Sequence, residues 1–311
     1  MRQNLPDLSP ELFRPARFSE TEAEMSGYER YSYWRSTFRT FLKSPVSIAL
    51  LALILVLTAF SFLYPVVSRT DPNVVALDSS RWNLKPGGAG GIFGTDGLGR
   101  DIWARTWYGT RTSLLLGFVI ALFDVGIGMV AGALWGYVKR LDRIMTEIYN
   151  VLNNIPQTVF LVLLAYIMQP GFWTIVVALC STGWISIARF VRNKVMSIRD
   201  AEYNIASRCL ATPLPRMIVR NVLPYLVSIL IMEAALTIPY SIGAEVFLGF
   251  IGLGLPIEVV SLGNLVNQGK NTFMLYPYQL TWPTVVLAAI TISFYIVGNR
   301  FADASDPRNH L

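Results

Sequence analysis

The sequence predicts an all-α fold: a polytopic membrane bundle of six transmembrane helices. Three observations predict it. First, the 311 residues are 53% apolar and only 15% charged, against roughly 25% charged in soluble domains. Second, mean hydropathy is +0.45. Third, the charges are bunched, and the gaps between them match the length of a span, about 20 mainly apolar residues. Only helices or closed barrels satisfy the backbone in lipid, and apolar runs this long exclude a barrel.

Residues 1–44 are polar and rich in Glu, Arg, Ser and Tyr. They read as a tail ending in a short amphipathic helix near Tyr31–Lys43, whose aromatic and basic residues suit a membrane surface. The tail lacks an apolar core, so no cleavable signal peptide is expected. The second unit, 45–311, holds the spans. The first is expected at about 46–67, in a stretch without charge. A loop follows, and its Pro86–Gly91 run reads as a flexible hinge rather than a phosphate loop. The second span, about 113–138, carries one charge, Asp124. In it Gly128, Gly132 and Gly136 line one helix face, where another helix can approach closely.

Residues 148–188 carry no charge, long enough for two spans. They are placed at about 145–168 and 172–190, with a reversal at Gln169-Pro170-Gly171. A polar loop at about 199–221 separates them from the fifth span, about 222–246, which carries Glu233. The Gly-rich stretch 247–256 reads as irregular backbone packed on the bundle. The sixth span is about 281–300.

Net charge is +6. In this context the positive-inside rule explains it without nucleic acid. With the N-terminus inside, 19 of the 26 Lys and Arg fall on the cytoplasmic side and 7 outside, so both termini are expected in the cytoplasm. The first outer loop, with six basic residues, fits the rule least well.

The chain has one histidine, His310, and two cysteines, Cys180 and Cys209. No metal-ligand cluster and no Ser-His or Cys-His pair is expected. The stretch Gly263–Asn271 resembles a phosphate loop only loosely: five residues separate its glycines where four are needed, and Asn follows the lysine. Polar residues in or near the spans are costly in lipid and often mark pathways. Asp124, Asn153, Asn154 and Glu233 are the translocation-path candidates. Glu147 and Glu245 read as interfacial.

The polar loop carries Asp200 and Glu202 at a helix start, where acid suits the helix dipole. Ile205, Cys209 and Thr212 fall on one face, Ala206 and Leu210 on another. Pro213 and Pro215 stop this helix, and a second begins near Arg216. Two such short helices cannot hold their shape alone; they need the bundle on one side and a partner on the other.

Three motifs carry a resemblance over about residues 30–311. The first is Phe93–Asp101 with Tyr108–Leu114. The second is Glu202–Ala211 with Val222-Leu223-Pro224. The third is Glu245–Pro256 with Ala302–Arg308. Together they resemble the permease subunits of bacterial ABC importers, most of all the second permease of oligopeptide systems. The resemblance implies a type I permease fold and an ATPase-coupling loop at about 199–221. That loop uses Glu202, Tyr203, Ala206, Ser207, Arg208, Leu210, Ala211 and Arg216. Three positions depart from the family pattern: Ile205 for Glu, Ser207 for Ala, and Ala211 for the turn Gly. With Ala at 211, the turn is expected at Thr212-Pro213 instead.

It also implies partners: a sister permease, two ATP-binding subunits that hold ATP and Mg, an extracytoplasmic peptide-binding protein, and the bilayer. This chain itself would hold no cofactor and would not be an enzyme. Cargo other than oligopeptide (dipeptide, nickel, glutathione, antimicrobial peptide) fits the same architecture. An ion-coupled secondary transporter would need repeated halves and paired deep charges, and no repeated half is visible.

Overall fold

The computed structural model describes residues 33–217 and 223–305. The described residues form eleven α-helices and no sheet. Helix α1 (Tyr33–Lys43) lies against the last helix through Phe38 and Phe41, whose rings meet Phe301 edge-on at 6.2 and 6.0 Å. Its apolar face is therefore covered in part by protein. The remainder of the tail, 1–32, lies outside the described residues.

Helix α2 (Pro45–Ser68) starts where the first span is expected. Pro45 takes the first helical position, and Ser44 Oγ accepts from Ser47 N–H, a pairing that satisfies orphan donors at a helix start. Helix α3 (Ile102–Tyr137) begins eleven residues before the expected span. The Asp101 carboxylate accepts from Trp103 and Ala104 N–H and sets that earlier start. At 1.5 Å per residue, α3 is about 54 Å long.

The expected third span, 145–168, is not one helix. Helices α4 (Lys139–Asn153) and α5 (Gln157–Ile167) meet at a bend of 79°. Pro156 is the cause: it has no N–H to donate, and its ring conflicts with the carbonyl four residues back. Among the described residues five helices are long and apolar enough to cross a membrane, and a sixth only if the bent pair counts as one span.

Helix α6 (Phe172–Arg199) runs nine residues past the expected end at 190. Two short helices, α7 (Glu202–Cys209) and α8 (Leu214–Met217), lead to α9 (Leu223–Phe250). Helices α10 (Leu262–Thr272) and α11 (Tyr278–Ser305) complete the bundle. The Gly263–Asn271 stretch is thus helical, with Ser261 as its cap.

The core is built on α3, which packs most extensively against α6. These helices run parallel and very close. A β-carbon on Gly128 would lie 2.8 Å from Ile187 Cβ, one on Gly132 2.7 Å from Val191 Cβ, and one on Gly136 2.7 Å from the Arg192 carbonyl oxygen. The row of glycines is what permits this approach. Apolar clusters fill the remainder. One joins α3, α6 and α9 through Ala133, Ile187, Val191, Leu226 and Leu230. Another joins α2, α3, α9 and α11 through Ile54, Leu114, Ile238, Ile242 and Ile290.

The segment between α2 and α3 is a folded cap rather than a free loop. Phe93 stacks on Trp282 at 4.6 Å and meets Trp103 edge-on at 4.8 Å. The Pro86–Gly91 run, read as a hinge, closes on itself: Gly87 N–H donates to the Gly91 carbonyl at 2.7 Å.

Candidate functional site

The α7–α8 unit sits where α6 ends; two anchors hold it to the bundle, and a third bond fixes the end of α6 on which it stands. Asn204 is fully buried, and its Nδ2 donates to the Ile198 carbonyl at 2.8 Å, tying α7 to α6. Arg199 Nη1 donates to the Gly136 carbonyl at 2.9 Å, tying the end of α6 to the end of α3. Met217 is buried, and its sulfur accepts from Tyr137 Oη at 3.6 Å, tying α8 to α3. The short helices therefore take their shape from the bundle.

Helix α7 ends in a left-handed residue. Ala211 has φ +55°, and Thr212 N–H reaches back to the Ser207 carbonyl at 3.1 Å. This is the six-to-one closure of a Schellman cap, with Ala211 where glycine is usual. The turn is made at Ala211, not at Thr212-Pro213 as expected. The demand for a left-handed residue stays with the position when the residue changes, because it comes from the path of the chain.

The outward side of the unit carries Glu202, Ala206, Cys209, Ala211 and Arg216, all exposed. Ile205 is 48% and Leu210 82% exposed. Ile205 and Leu210, assigned to different faces in sequence, are thus both open. Ser207 is half-buried. Tyr203 and Arg208 lie on α7, but their side chains are outside the description, as are 218–222 and the C-terminal motif from Asp306 on.

Beside this unit the structure places a cluster that the sequence analysis did not name. Asp142 on α4 accepts from Arg192 Nε at 2.7 Å and from Trp135 Nε1 at 3.0 Å. Arg189 lies over the Tyr149 ring at 4.1 Å. The alternation of bases on α6 with aromatics on α3 and α4 was the available signal.

The path candidates lie on three elements. Asp124 (α3) is 3% exposed and enclosed against α6, where it faces Gly183. Asn153 closes α4, with its Oδ1 accepting from Tyr149 Oη at 3.2 Å. It lines a cleft of about 210 Å³ with Pro156, Gln157, Thr182 and Ser186. Asn154 turns away to cap its own helix, with Nδ2 donating to the Asn150 carbonyl. Glu233 is half-buried on α9.

Glu245, read as interfacial, is completely buried. Its Oε2 accepts from Ser113 Oγ at 2.9 Å, and that hydroxyl accepts from Leu262 N–H at 3.2 Å. Asn264 Nδ2 donates to the carbonyls of Pro256 and Val259, each at 2.9 Å. These bonds fix the Gly-rich stretch onto α3 and α10. Among the described residues no group of three His, Cys, Asp or Glu could hold a metal ion.

Residues 124–310 match the model of the family described as binding-protein-dependent transport system inner membrane component. Residues 32–86 match the N-terminal membrane domain of oligopeptide transport permease C. The chain is 36% identical over 305 residues to an oligopeptide transport system permease protein of Streptococcus pneumoniae, AmiD, covering 97% of this chain and 99% of that one. It is 31% identical over 307 residues to the oligopeptide permease protein OppC of Bacillus subtilis, covering 98% and 99%. Among solved structures, an inward-facing MetNI methionine ABC transporter aligns with a TM-score of 0.54 at 22% identity, over 66% of this chain and 96% of that one. That likeness concerns the fold.

Proposed function

The chain belongs to the family of binding-protein-dependent transport system inner membrane components, and from that premise we propose that it is one of two permeases in an ATP-driven oligopeptide importer. The cargo reading rests on the oligopeptide permeases that it matches along nearly its whole length. ATP and Mg would be held by two partner ATPases, and an extracytoplasmic binding protein would deliver the peptide. Both termini and α7 would face the cytoplasm, in keeping with the excess of Lys and Arg at that end.

The observation that carries the coupling role is the α7–α8 unit. It is clamped inward by Asn204 and Met217, on an α6 end that Arg199 ties to α3, yet it presents Leu210 and Ile205 outward. A rigid projection with an exposed apolar tip is what a partner's groove can grip and move. Glu202, Tyr203, Ala206, Ser207, Arg208, Leu210, Ala211 and Arg216 would form that contact. Closure of the ATPase pair on ATP would push the unit and tilt the bundle, opening the path outward, and hydrolysis would reset it. The cleft beside Asn153 supports a path role for that residue. The enclosure of Asp124 supports a role in holding α3 to α6 as well.

Co-purification tests this. Leu210→Asp, Glu202→Lys and Arg208→Asp should each reduce ATPase retained on the purified permease pair at least fivefold, with membrane insertion unchanged. Retention equal to the parent in all three removes the docking role.

A further inference from the structure

At the end of the bundle opposite α7 lies a cleft of about 510 Å³, lined by Asp96, Arg100, Ile257, Glu258, Gln268 and Asn271 among others. Its size is within the range of small-ligand sites, roughly 300–1,000 Å³. From its floor we infer that this cleft captures the C-terminal carboxylate of a peptide. The inference rests on the permease reading above, which turns this end outward.

The floor has one carboxylate for two guanidiniums. Asp96 Oδ2 accepts from Arg105 Nη1 at 2.6 Å and from Arg100 Nε at 2.7 Å. Asp96 Oδ1 is occupied by the Leu98 and Arg100 N–H groups at 3.0 and 2.9 Å. Gln268 Oε1 accepts from Arg105 Nη1 at 3.0 Å and, more weakly, from Arg100 Nη2 at 3.4 Å. Arg105 is 1% exposed, and its Nε and Nη2 are buried without an acceptor among the described residues. A buried guanidinium in excess of its counter-ion is unfavourable, and a second anion offsets it. Planar guanidinium donors match a carboxylate well. Arg100 lines the cleft and is the donor within reach, while Arg105 behind it adds to the field.

The walls fit a chain end. Leu98 and Ile257 expose apolar surface, suited to a terminal side chain, and Asn271 offers a carboxamide beside it. Glu258, exposed at the rim, opposes an incoming anion and sets a limit on affinity. The Arg100 guanidinium is recessed, its side chain 14% exposed, so a thin chain end reaches it more readily than a residue on a folded surface.

The test uses the complete permease–ATPase complex in nanodiscs without the delivery protein. The probe is a dye-labelled pentapeptide in its free-acid and C-terminal amide forms. The acid should bind the parent at least tenfold more tightly than the amide. Arg100→Gln and Asn271→Glu should each remove that preference, and Glu258→Gln should enlarge it. Asn271 makes no part of the Asp96 network, so Asn271→Glu keeps the test open if Arg100→Gln disturbs folding. Equal binding of acid and amide to the parent, or a preference that survives both variants, overturns the site. So does a loss confined to docking of the peptide-free delivery protein, which would make the cleft a protein contact. A parent complex that imports peptide when reconstituted with its delivery protein in sealed proteoliposomes, yet does not discriminate acid from amide in nanodiscs, defeats the capture site alone. One that, with its delivery protein in the same proteoliposomes, imports no peptide defeats the permease reading beneath it.

Discussion

The carboxylate of Asp124 rests against the α-carbon of Gly183, so that a β-carbon at 183 would collide with Oδ2. The contact extends the row that Gly128, Gly132 and Gly136 make with Ile187, Val191 and Val195. At each of the four positions the partner lies 59 residues later. One unbroken register therefore joins α3 to α6, and its first member is polar.

Substitutions along this row should be costly in proportion to contact. Gly132→Ala is expected to lower stability by about 2 kcal/mol, in the range for overpacking a tight core. Gly126, two residues before Gly128 and so on the other side of the helix, with open space around it, should tolerate Ala with little change. The thermal midpoint of the detergent-purified complex checks both.

Ala211 holds a conformation that costs an L-residue roughly 1–2 kcal/mol. Ala211→Gly should relieve about 1 kcal/mol of that. Exchange of the Thr212 amide, which closes the cap, should slow about fivefold. Ala211→Val should speed it. Unchanged exchange in Ala211→Gly would show that the turn carries no strain.

Asn204→Ala removes the bond from α7 to the Ile198 carbonyl, which keeps its bond from Ala201 N–H, a loss of about 1 kcal/mol. The exposed contact residues remain in place. ATPase should therefore stay bound while peptide-stimulated ATP hydrolysis falls several-fold. Full stimulation would mean that the anchor does not transmit force.

Glu245→Gln preserves the shape of the side chain and an acceptor for Ser113, and should cost about 1 kcal/mol. Glu245→Ala leaves a void and an unpaired hydroxyl, and should cost about 2–4 kcal/mol. Limited proteolysis between 249 and 262 should accelerate in the second variant only.

Charge-free gaps and cap residues made most of the helices legible. The gap at 44–68 became α2, and the Gly128–Gly132–Gly136 face was visible as a contact surface before its partner was known. The partner was not legible, because a row of glycines says that something approaches but not which helix. Pro156 was hidden by the apolar run around it: hydropathy averages over a window, whereas one missing N–H acts at a point. Glu245 stands at the end of an apolar stretch, where a carboxylate normally meets water. Its burial depends on Ser113, 132 positions away, and no local pattern reports that. The left-handed backbone at Ala211 could be suspected only because glycine is usual there.

Helix α3 starts at the Asp96–Arg100–Arg105 network and ends one residue past Gly136, which the clamp of Arg199 holds. Riveted to α6 along its second half, it makes a beam that reaches both faces of the bundle. On the proposed coupling role, a push on α7 would not be absorbed within such a beam; it would arrive at the far mouth as displacement. Compliance must then come from elsewhere, from the elbow at Pro156 and from the glycines between Phe247 and Pro256. Stiffening those two places should stall the machine while leaving every grip on it intact.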